Sequence, residues 1–200
     1  MQLTSLLSHS TTLTELLFQL EMNRRVVIVD DSLYDIDSAD NSTSYDMIHR
    51  VPSRAFASTK TQRGIRLCGP SGQIASCLVI FQGTTPLRPS SVTIHDDHLY
   101  VTAGESLCAI DLSDLHMNWH VDLLSGAANG VYISSTHSCV LAVGDFDMTC
   151  IGQSGDVRWA TNVVDFLTPN VTIDGHDIAV VDDRGNRHVL NIDTGTKVVG

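Results

Sequence analysis

The chain has 200 residues, of which 42% are hydrophobic and 18% are charged, so it can build a folded core and is not a disordered tail. Its 12 Lys and Arg residues are outnumbered by 23 Asp and Glu residues, which gives a net charge of −11. That balance argues against nucleic acids and anionic membranes as ligands, because binding them needs a surplus of basic side chains, and it favours a basic partner.

The first segment carries leucines at three- and four-residue spacings, at Leu3, Leu6, Leu7, Leu13, Leu16, Leu17 and Leu20. This stripe predicts a short N-terminal helix, so we divide the chain into a helical segment over residues 1–24 and a second domain over residues 25–200. The helix is expected to dock on the core or to cover a sheet edge, and the alternative is a helix that binds a partner or dimerises. Ser, Thr and His interrupt the apolar residues, which fits neither a signal peptide nor a membrane-spanning helix.

The next segment changes from the helical spacing to short apolar runs. Val26–Val29 predicts a strand, and Leu33–Ile36 predicts a second, shorter one. Residues 37–44 are rich in Ser, Asp and Asn and predict a loop. The stretch from residue 47 to residue 62 is ambiguous, and its candidate strand residues are Val51, Ala55 and Phe56.

From Gly64 onward the sequence repeats. Val92, Val131 and Val171 are 39 and 40 residues apart, and each opens a short apolar strand that is followed by a polar tip and a second apolar strand. A period near 40 residues with four short strands is typical of propeller blades. One such sheet cannot bury both of its faces, so the blades are expected to pack on one another.

Each repeat also has a characteristic phrase after its third strand. It runs from Ala109-Ile110-Asp111 to Trp119, then from Cys150 to Trp159, and returns as Asp193-Thr194-Gly195. The phrase resembles the repeat of the PQQ-like (quinoprotein-type) β-propellers, Ala-Leu-Asp-x-x-Thr-Gly-x-x-x-Trp, over about residues 64–200. This resemblance implies an all-β fold, a small β-propeller-like domain of four-stranded antiparallel blades, with both Trp side chains packed between blades.

The repeat is compatible with more than one number of blades. Residues 26–200 hold about four periods of the blade size. A closed four-bladed ring, four blades with a closing half-blade from residue 26 to residue 37, and an open, incomplete propeller all remain compatible with that length.

The five cysteines, Cys68, Cys77, Cys108, Cys139 and Cys150, are odd in number and form no C-x-x-C pair. Small secreted domains with disulfide frameworks usually have even counts at close spacing. We therefore expect reduced, mostly buried thiols in a cytoplasmic protein.

The polar tips are the first places to look for metal ligands. His95-Asp96-Asp97-His98 resembles a metal cluster, but alternate residues of a strand point to opposite faces, so His95 and His98 are not expected to share an ion. The other tips, Ser134–His137 and Asp174–His176, are expected to be solvated turns. The alternating acids of residues 35–41 lack the Gly and Glu of an EF-hand loop and predict a flexible acidic loop. No metal site is predicted.

The sequence contains no recognisable catalytic motif. It has no Gly-x-Ser-x-Gly elbow, no P-loop and no GxGxxG. A quinoprotein dehydrogenase would need a PQQ site and a catalytic Asp with calcium, and the resemblance brings neither. We therefore expect no enzyme activity and no cofactor.

These observations favour a non-catalytic protein-binding module. One specific version is an immunity protein or inhibitor that neutralises a basic toxin, which rests on charge complementarity. The alternatives are a propeller that binds a small molecule or a glycan and a scaffold subunit of a larger assembly. The candidate partner-binding residues are acids of predicted loops, namely Asp35, Asp37, Asp40, Asp145 and Asp147.

Overall fold

The computed structural model describes residues 14–52, 59–124, 127–163 and 165–198, and these residues form an all-β structure. None of them belongs to a helix of the length and apolar character needed to cross a membrane. The strands are β1 (Glu15–Gln19), β2 (Arg25–Asp30), β3 (Met47–Arg50), β4 (Lys60–Gly69), β5 (Gly72–Gln82), β6 (Val92–His95), β7 (His98–Ala103), β8 (Ser106–Asp111), β9 (Met117–Asp122), β10 (Ala128–Ser134), β11 (Cys139–Gly144), β12 (Asp147–Gly152), β13 (Val157–Asn162), β14 (Leu167–Asp174), β15 (Asp177–Asp182) and β16 (Arg187–Asn191).

The first strand corrects the prediction of an N-terminal helix. Glu15–Gln19 forms a strand, β1, that pairs antiparallel with β2 and so belongs to the first sheet. Leu16 and Phe18 alternate with more exposed residues and pack opposite Ile28 and Val26. The leucine spacing fits both the period of a helix and the two-residue period of a strand, and the pairing with β2 favours the strand. The earlier part of the predicted helix, residues 3–13, lies outside the described residues.

The first sheet has the order β1-β2-β4-β5-β3. β2 confirms the strand predicted over Val26–Val29, whereas the strand predicted over Leu33–Ile36 is wrong, because those residues lie in turns of a long loop. After that loop the chain adds β3 beside β5 in a parallel pairing. Val51 is buried, as a strand anchor should be, and Ala55 and Phe56 lie outside the described residues.

The remaining strands confirm the predicted blades. β6 to β9 and β10 to β13 form two four-stranded antiparallel sheets, each in simple sequence order. β14 to β16 form a third sheet, and its fourth position is taken by Lys197, which bridges to Leu190, and by Val198, whose N–H donates to the Val189 carbonyl. We call the sheets blades 1 to 4, with β1, β2, β4 and β5 as the four strands of blade 1.

Hydrophobic clusters join each blade to the next one along the chain. Blades 1 and 2 share a cluster that includes Phe18, Phe81, Leu99 and Ile110. Similar clusters lie between blades 2 and 3 and between blades 3 and 4. Within the described residues, each of the three clusters joins blades that follow one another along the chain.

Candidate functional site

The loop of residues 31–46, which contains the predicted acidic loop of residues 35–41, is braced by its own hydrogen bonds. Asn41 accepts from the Asp35 N–H at 3.0 Å and donates its amide to the Asp35 and Ser38 carbonyls. Asp35 accepts from the Asp37 N–H, and the Ser38 hydroxyl accepts from the Asp40 N–H. These hydrogen bonds connect residues 35 to 41 to one another within the loop.

The same loop is fixed to the face of blade 1 that points away from blade 2. Tyr45 lies directly over Gly64, where any side chain would collide with its hydroxyl, and that hydroxyl donates to Asp31 at 2.5 Å. Burial and the Asp31 carboxylate both raise the pKa of Tyr45, so it stays a neutral donor. The Asp46 carboxylate accepts from the Ser76 N–H at 2.7 Å. These contacts cover a face that would otherwise need another blade.

The outer side of this loop exposes acidic and apolar side chains together. Asp35, Asp37 and Asp40 are exposed. Leu33, which follows β2 and precedes these acids in the sequence, is 93% exposed. Within the described part of the chain, no side-chain partner is recorded for the Asp37 and Asp40 carboxylates. The loop therefore presents free negative charge beside an apolar contact.

The other two predicted partner-binding acids occupy a different place. Asp145 lies in the turn between β11 and β12 of blade 3, and Asp147 is the first residue of β12, so the five predicted acids do not form one surface. Asp145 is half-buried and accepts from the Asn129 amide at 2.6 Å. Asp147 is fully buried and accepts from the Leu124 N–H at 3.1 Å. Because it is buried, the Asp147 carboxylate is not exposed to a partner protein in this fold.

The turns that follow the first strand of each blade make polar contacts from blade to blade. Arg24 of blade 1 lies 3.4 Å from Asp97 of blade 2. His95 of blade 2 lies 3.5 Å from the Ser135 hydroxyl of blade 3. These contacts join residues about 40 or more positions apart in sequence, so they follow from blade packing alone.

The geometry of the His95 to His98 tip corrects part of the sequence argument. His95 and His98 are direct cross-strand partners around a two-residue turn, so they share one face of the hairpin and do not point to opposite faces. Asp96 and Asp97 form that turn with φ values of 46° and 57°. The His98 Nδ1 contacts the Asp96 carbonyl at 2.7 Å, which turns its ring back on the tip.

Among the described residues, two groups of His and Asp side chains each bring three possible metal-ligand atoms within 4.8 Å of one another. The first group is His137, His176 and Asp193, and the second is Asp165, Asp182 and His188. In the second group Asp182 already accepts from the N–H groups of Arg184 and Asn186 and contacts His188 at 2.9 Å. Burial acts to raise the pKa of Asp182, but these hydrogen bonds outweigh it and hold that pKa well below its usual range. Asp182 is therefore part of the fold, and the first group is the more open one.

Trp119 and Trp159 occupy matching positions in successive blades, as predicted. Trp119 pairs with Ala109 and Trp159 pairs with Cys150, and a bulge follows each pair. The Trp119 Nε1–H donates to the Gln153 carbonyl of blade 3, and the Trp159 Nε1–H donates to the Ile192 carbonyl of blade 4. Trp159 is 9% exposed, whereas Trp119 is half-buried.

The chain resembles known proteins in its fold and not in its sequence. No family model and no curated protein sequence matches it. Among solved structures, BamB from Moraxella catarrhalis has a TM-score of 0.51 at 16% identity, covering 94% of this chain and 61% of the BamB chain. This likeness shows a β-propeller fold.

The limits of this likeness are equally clear. The chain spans about three fifths of the length of BamB, and 16% identity establishes the fold alone. A europium-containing methanol dehydrogenase has a TM-score of 0.48 at 14% identity, covering 58% of this chain and 24% of the other, which is too low to support an argument.

The propeller buries all five cysteines as free thiols, in agreement with the sequence prediction of buried thiols. Burial raises the pKa of Cys77 to about 12. Cys139 and Cys150 hydrogen-bond to each other, and this contact together with burial raises the pKa of Cys150. Cys77 and Cys150 are therefore poorly reactive in the folded chain, whereas the hydrogen bond with Cys150 lowers the pKa of Cys139.

The contacts that sequence reasoning missed are those between blades. His137 and His176 lie in the first turns of blades 3 and 4, with ring centroids 5.1 Å apart. Their positions in the repeat were recognised as equivalent polar tips, and stacking the repeats would have placed them side by side. Predicting the contact between these two histidines requires that the polar tips of neighbouring blades be treated as one surface.

Proposed function

We propose that this propeller is a non-catalytic protein-binding module and that the loop of residues 31–46 binds a basic protein. The observation that carries the proposal is the combination of internal bracing and exposure in that loop. Asn41 fixes the backbone on both sides, while Asp37, Asp40 and Leu33 face solvent. Binding residues are often carried on loops that a rigid scaffold positions.

The bracing of the loop favours tight binding. A disordered loop must be ordered when it binds, and each immobilised side chain costs about 0.5–1.5 kcal/mol. Here the Asp35, Ser38 and Asn41 hydrogen bonds have already fixed the loop in the free chain. More of the contact energy is then available for affinity.

The charge of the chain supports a basic partner. The net charge of −11 attracts a cationic protein at long range, and such steering can raise association rates by about 10- to 1,000-fold at low salt. Asp35, Asp37 and Asp40 concentrate that charge beside Leu33, which supplies an apolar contact. An immunity protein or inhibitor that masks a basic toxin is one form of this function, and the free, buried thiols support a reducing compartment such as the cytoplasm for it.

Two alternative functions, glycan binding and enzyme activity, have candidate side chains that the fold engages in other contacts. A glycan-binding propeller would use recurring aromatic platforms, but Trp119 and Trp159 are both engaged in contacts between blades. Ser154, which could be considered as a nucleophile, donates its hydroxyl to Asp156 at 2.5 Å within a blade turn. All three side chains have structural partners that explain their positions.

The direct test compares two charge-matched double variants. Asp37→Asn with Asp40→Asn removes two loop charges, and Glu21→Gln with Asp183→Asn removes two exposed charges elsewhere. The wild-type chain is used to capture its partner from the native host, and the association rate with the purified partner is then measured between 0.01 M and 0.15 M salt. The Debye length falls from about 30 Å to about 8 Å over that range.

The loop variant should associate more slowly than wild type at low salt, with a shallower salt dependence, and the control variant should keep more of the wild-type rate. The captured partner should be basic. An acidic partner, a rate that does not change with salt, or equal effects of the two double variants would contradict the proposal.

A further inference from the structure

The junction between blades 3 and 4 brings two imidazoles and a carboxylate together at the surface. His137 lies in the turn between β10 and β11, His176 in the turn between β14 and β15, and Asp193 in the turn after β16. Their possible ligand atoms all lie within 4.8 Å of one another. The His176 and Asp193 side chains are 70% and 54% exposed, so an ion can reach them from solvent.

The neighbouring structure holds each of these side chains in place. The Arg158 guanidinium donates to the carbonyls of His137 and Ser138 at 2.8 and 2.9 Å, which fixes the turn that carries His137. The His137 Nδ1 contacts the Ser134 hydroxyl at 2.9 Å, which leaves its Nε2 available as a ligand. This bracing orients the imidazole as partners of metal-bound histidines usually do.

The two ligands on blade 4 are fixed to each other. The Ile192 N–H donates to the His176 carbonyl at 2.8 Å, which ties the two turns of this blade together. The His176 Nδ1 lies 2.6 Å from the Asp193 Oδ2, and one hydrogen occupies the space between them. A metal ion can take the place of that hydrogen.

We propose that His137, His176 and Asp193 form a binding site for a divalent transition metal ion of the Zn²⁺ type, which joins blade 3 to blade 4. Two imidazole nitrogens and a carboxylate oxygen form a ligand set that Zn²⁺ prefers, and water completes the coordination. Adjacent ligand atoms of a tetrahedral Zn²⁺ site are about 3.3 Å apart, as follows from metal–ligand distances near 2.0 Å. The possible ligand atoms are up to 4.8 Å apart here, and small rotations of the exposed turn side chains bring them to the shorter distance.

The chemistry of the site also sets its selectivity. Ca²⁺ and Mg²⁺ prefer sets of oxygen ligands, and this site offers one carboxylate with two nitrogens. The second group of ligands, around Asp182, is less suited because its buried carboxylate is already saturated by four hydrogen bonds. The inference is independent of the partner-binding loop, which lies on blade 1.

A metal bound across the junction should stabilise the fold. Binding to the folded chain alone adds about 2.7 kcal/mol when the free ion is at 100 times its Kd. For a chain of this size that corresponds to a rise in Tm of about 5–10 °C. The rise should depend on both blades, because each contributes a ligand.

The experiment titrates chelator-treated protein with ZnCl₂ by calorimetry and repeats the titration with His137→Ala, His176→Ala and Asp193→Asn. His95→Ala is the matched control, because His95 ends β6 next to the corresponding turn of blade 2 and is absent from the cluster. Circular dichroism and the Tm without metal check that each variant folds. Absorption of the Co²⁺ form reports whether nitrogen and oxygen or sulfur ligands hold the ion.

Wild type and His95→Ala should bind one Zn²⁺ per chain and show the rise in Tm. Each His variant should lose affinity by more than the roughly 10- to 100-fold that removal of a supporting partner costs. The proposal is overturned by an absence of Zn²⁺ binding, by equal loss in His95→Ala, by Co²⁺ spectra with thiolate charge-transfer bands, or by Ca²⁺ binding that the same variants abolish.

Discussion

Replacing Trp159 with alanine should remove the main contact between blades 3 and 4. The indole is 9% exposed, packs against the turn at Gly195 and donates its Nε1–H to the Ile192 carbonyl at 2.7 Å. Truncating a buried aromatic side chain of this kind costs about 3–5 kcal/mol of unfolding free energy, because transfer and cavity terms add. The effect should appear as a lower midpoint in a urea titration followed by circular dichroism.

Two further variants divide this effect into its parts. Trp159→Phe keeps most of the ring but leaves the Ile192 carbonyl without its donor, at a cost of about 1–3 kcal/mol. Trp119→Ala removes the matching residue of blade 2, which is only half-buried, so it should cost less, about 2 kcal/mol. A loss below about 1 kcal/mol for Trp159→Ala, or a larger loss for Trp119→Ala, would refute the packing argument.

Three other outcomes follow from the same structure. Gly195→Ala should destabilise more than Gly185→Ala in a urea titration: both glycines have positive φ, at 69° and 86°, but only at Gly195 would a Cβ come within 2.6 Å of Trp159. Because the pKa of Asp182 is lowered in the folded state, the ionised carboxylate stabilises the fold above about pH 4, and this stabilisation is lost as the pH falls further. The difference in urea midpoint between wild type and Asp182→Asn should therefore narrow below pH 4. A constant difference down to pH 2 would contradict this prediction. Cys77, with its pKa raised to about 12, should react with Ellman's reagent only after unfolding, and rapid labelling of the native chain would show that it is accessible.

The repeats could be predicted because their signals are local. The register of Val92, Val131 and Val171 predicts the first strands of blades 2 to 4, and these residues do lie in β6, β10 and β14. Matching Trp positions were also visible in the sequence. Each of these features depends on neighbours within one blade, and the pattern recurs at a fixed spacing.

The N-terminal strand could not be predicted in the same way. Leu13, Leu16, Leu17 and Leu20 satisfy a helical period, while Leu16 and Phe18 also satisfy the period of a strand. The choice depends on pairing with β2, which completes blade 1 and buries Leu16 and Phe18. Local spacing carries no information about that partner.

The candidate sites show the same division. Composition predicted the acidic loop and its exposed Asp37 and Asp40, but its rigidity depends on Asn41, whose amide reaches across six residues. The sequence suggested that Asp147 was exposed, whereas it lies at a junction where blade packing buries it. Contacts between side chains of different turns appear only when the chain is folded.

Photo-crosslinking from position 33 tests most directly whether the acidic loop binds a basic protein. Leu33, replaced by a photoreactive residue, lies beside the exposed carboxylates, and Val157 on blade 3 is an exposed apolar control position. In cells of the native host, position 33 should capture one basic protein, and the product should decrease when Asp37→Asn and Asp40→Asn are added. Capture of that protein only from position 157, or of an acidic protein from position 33, would contradict the proposed function.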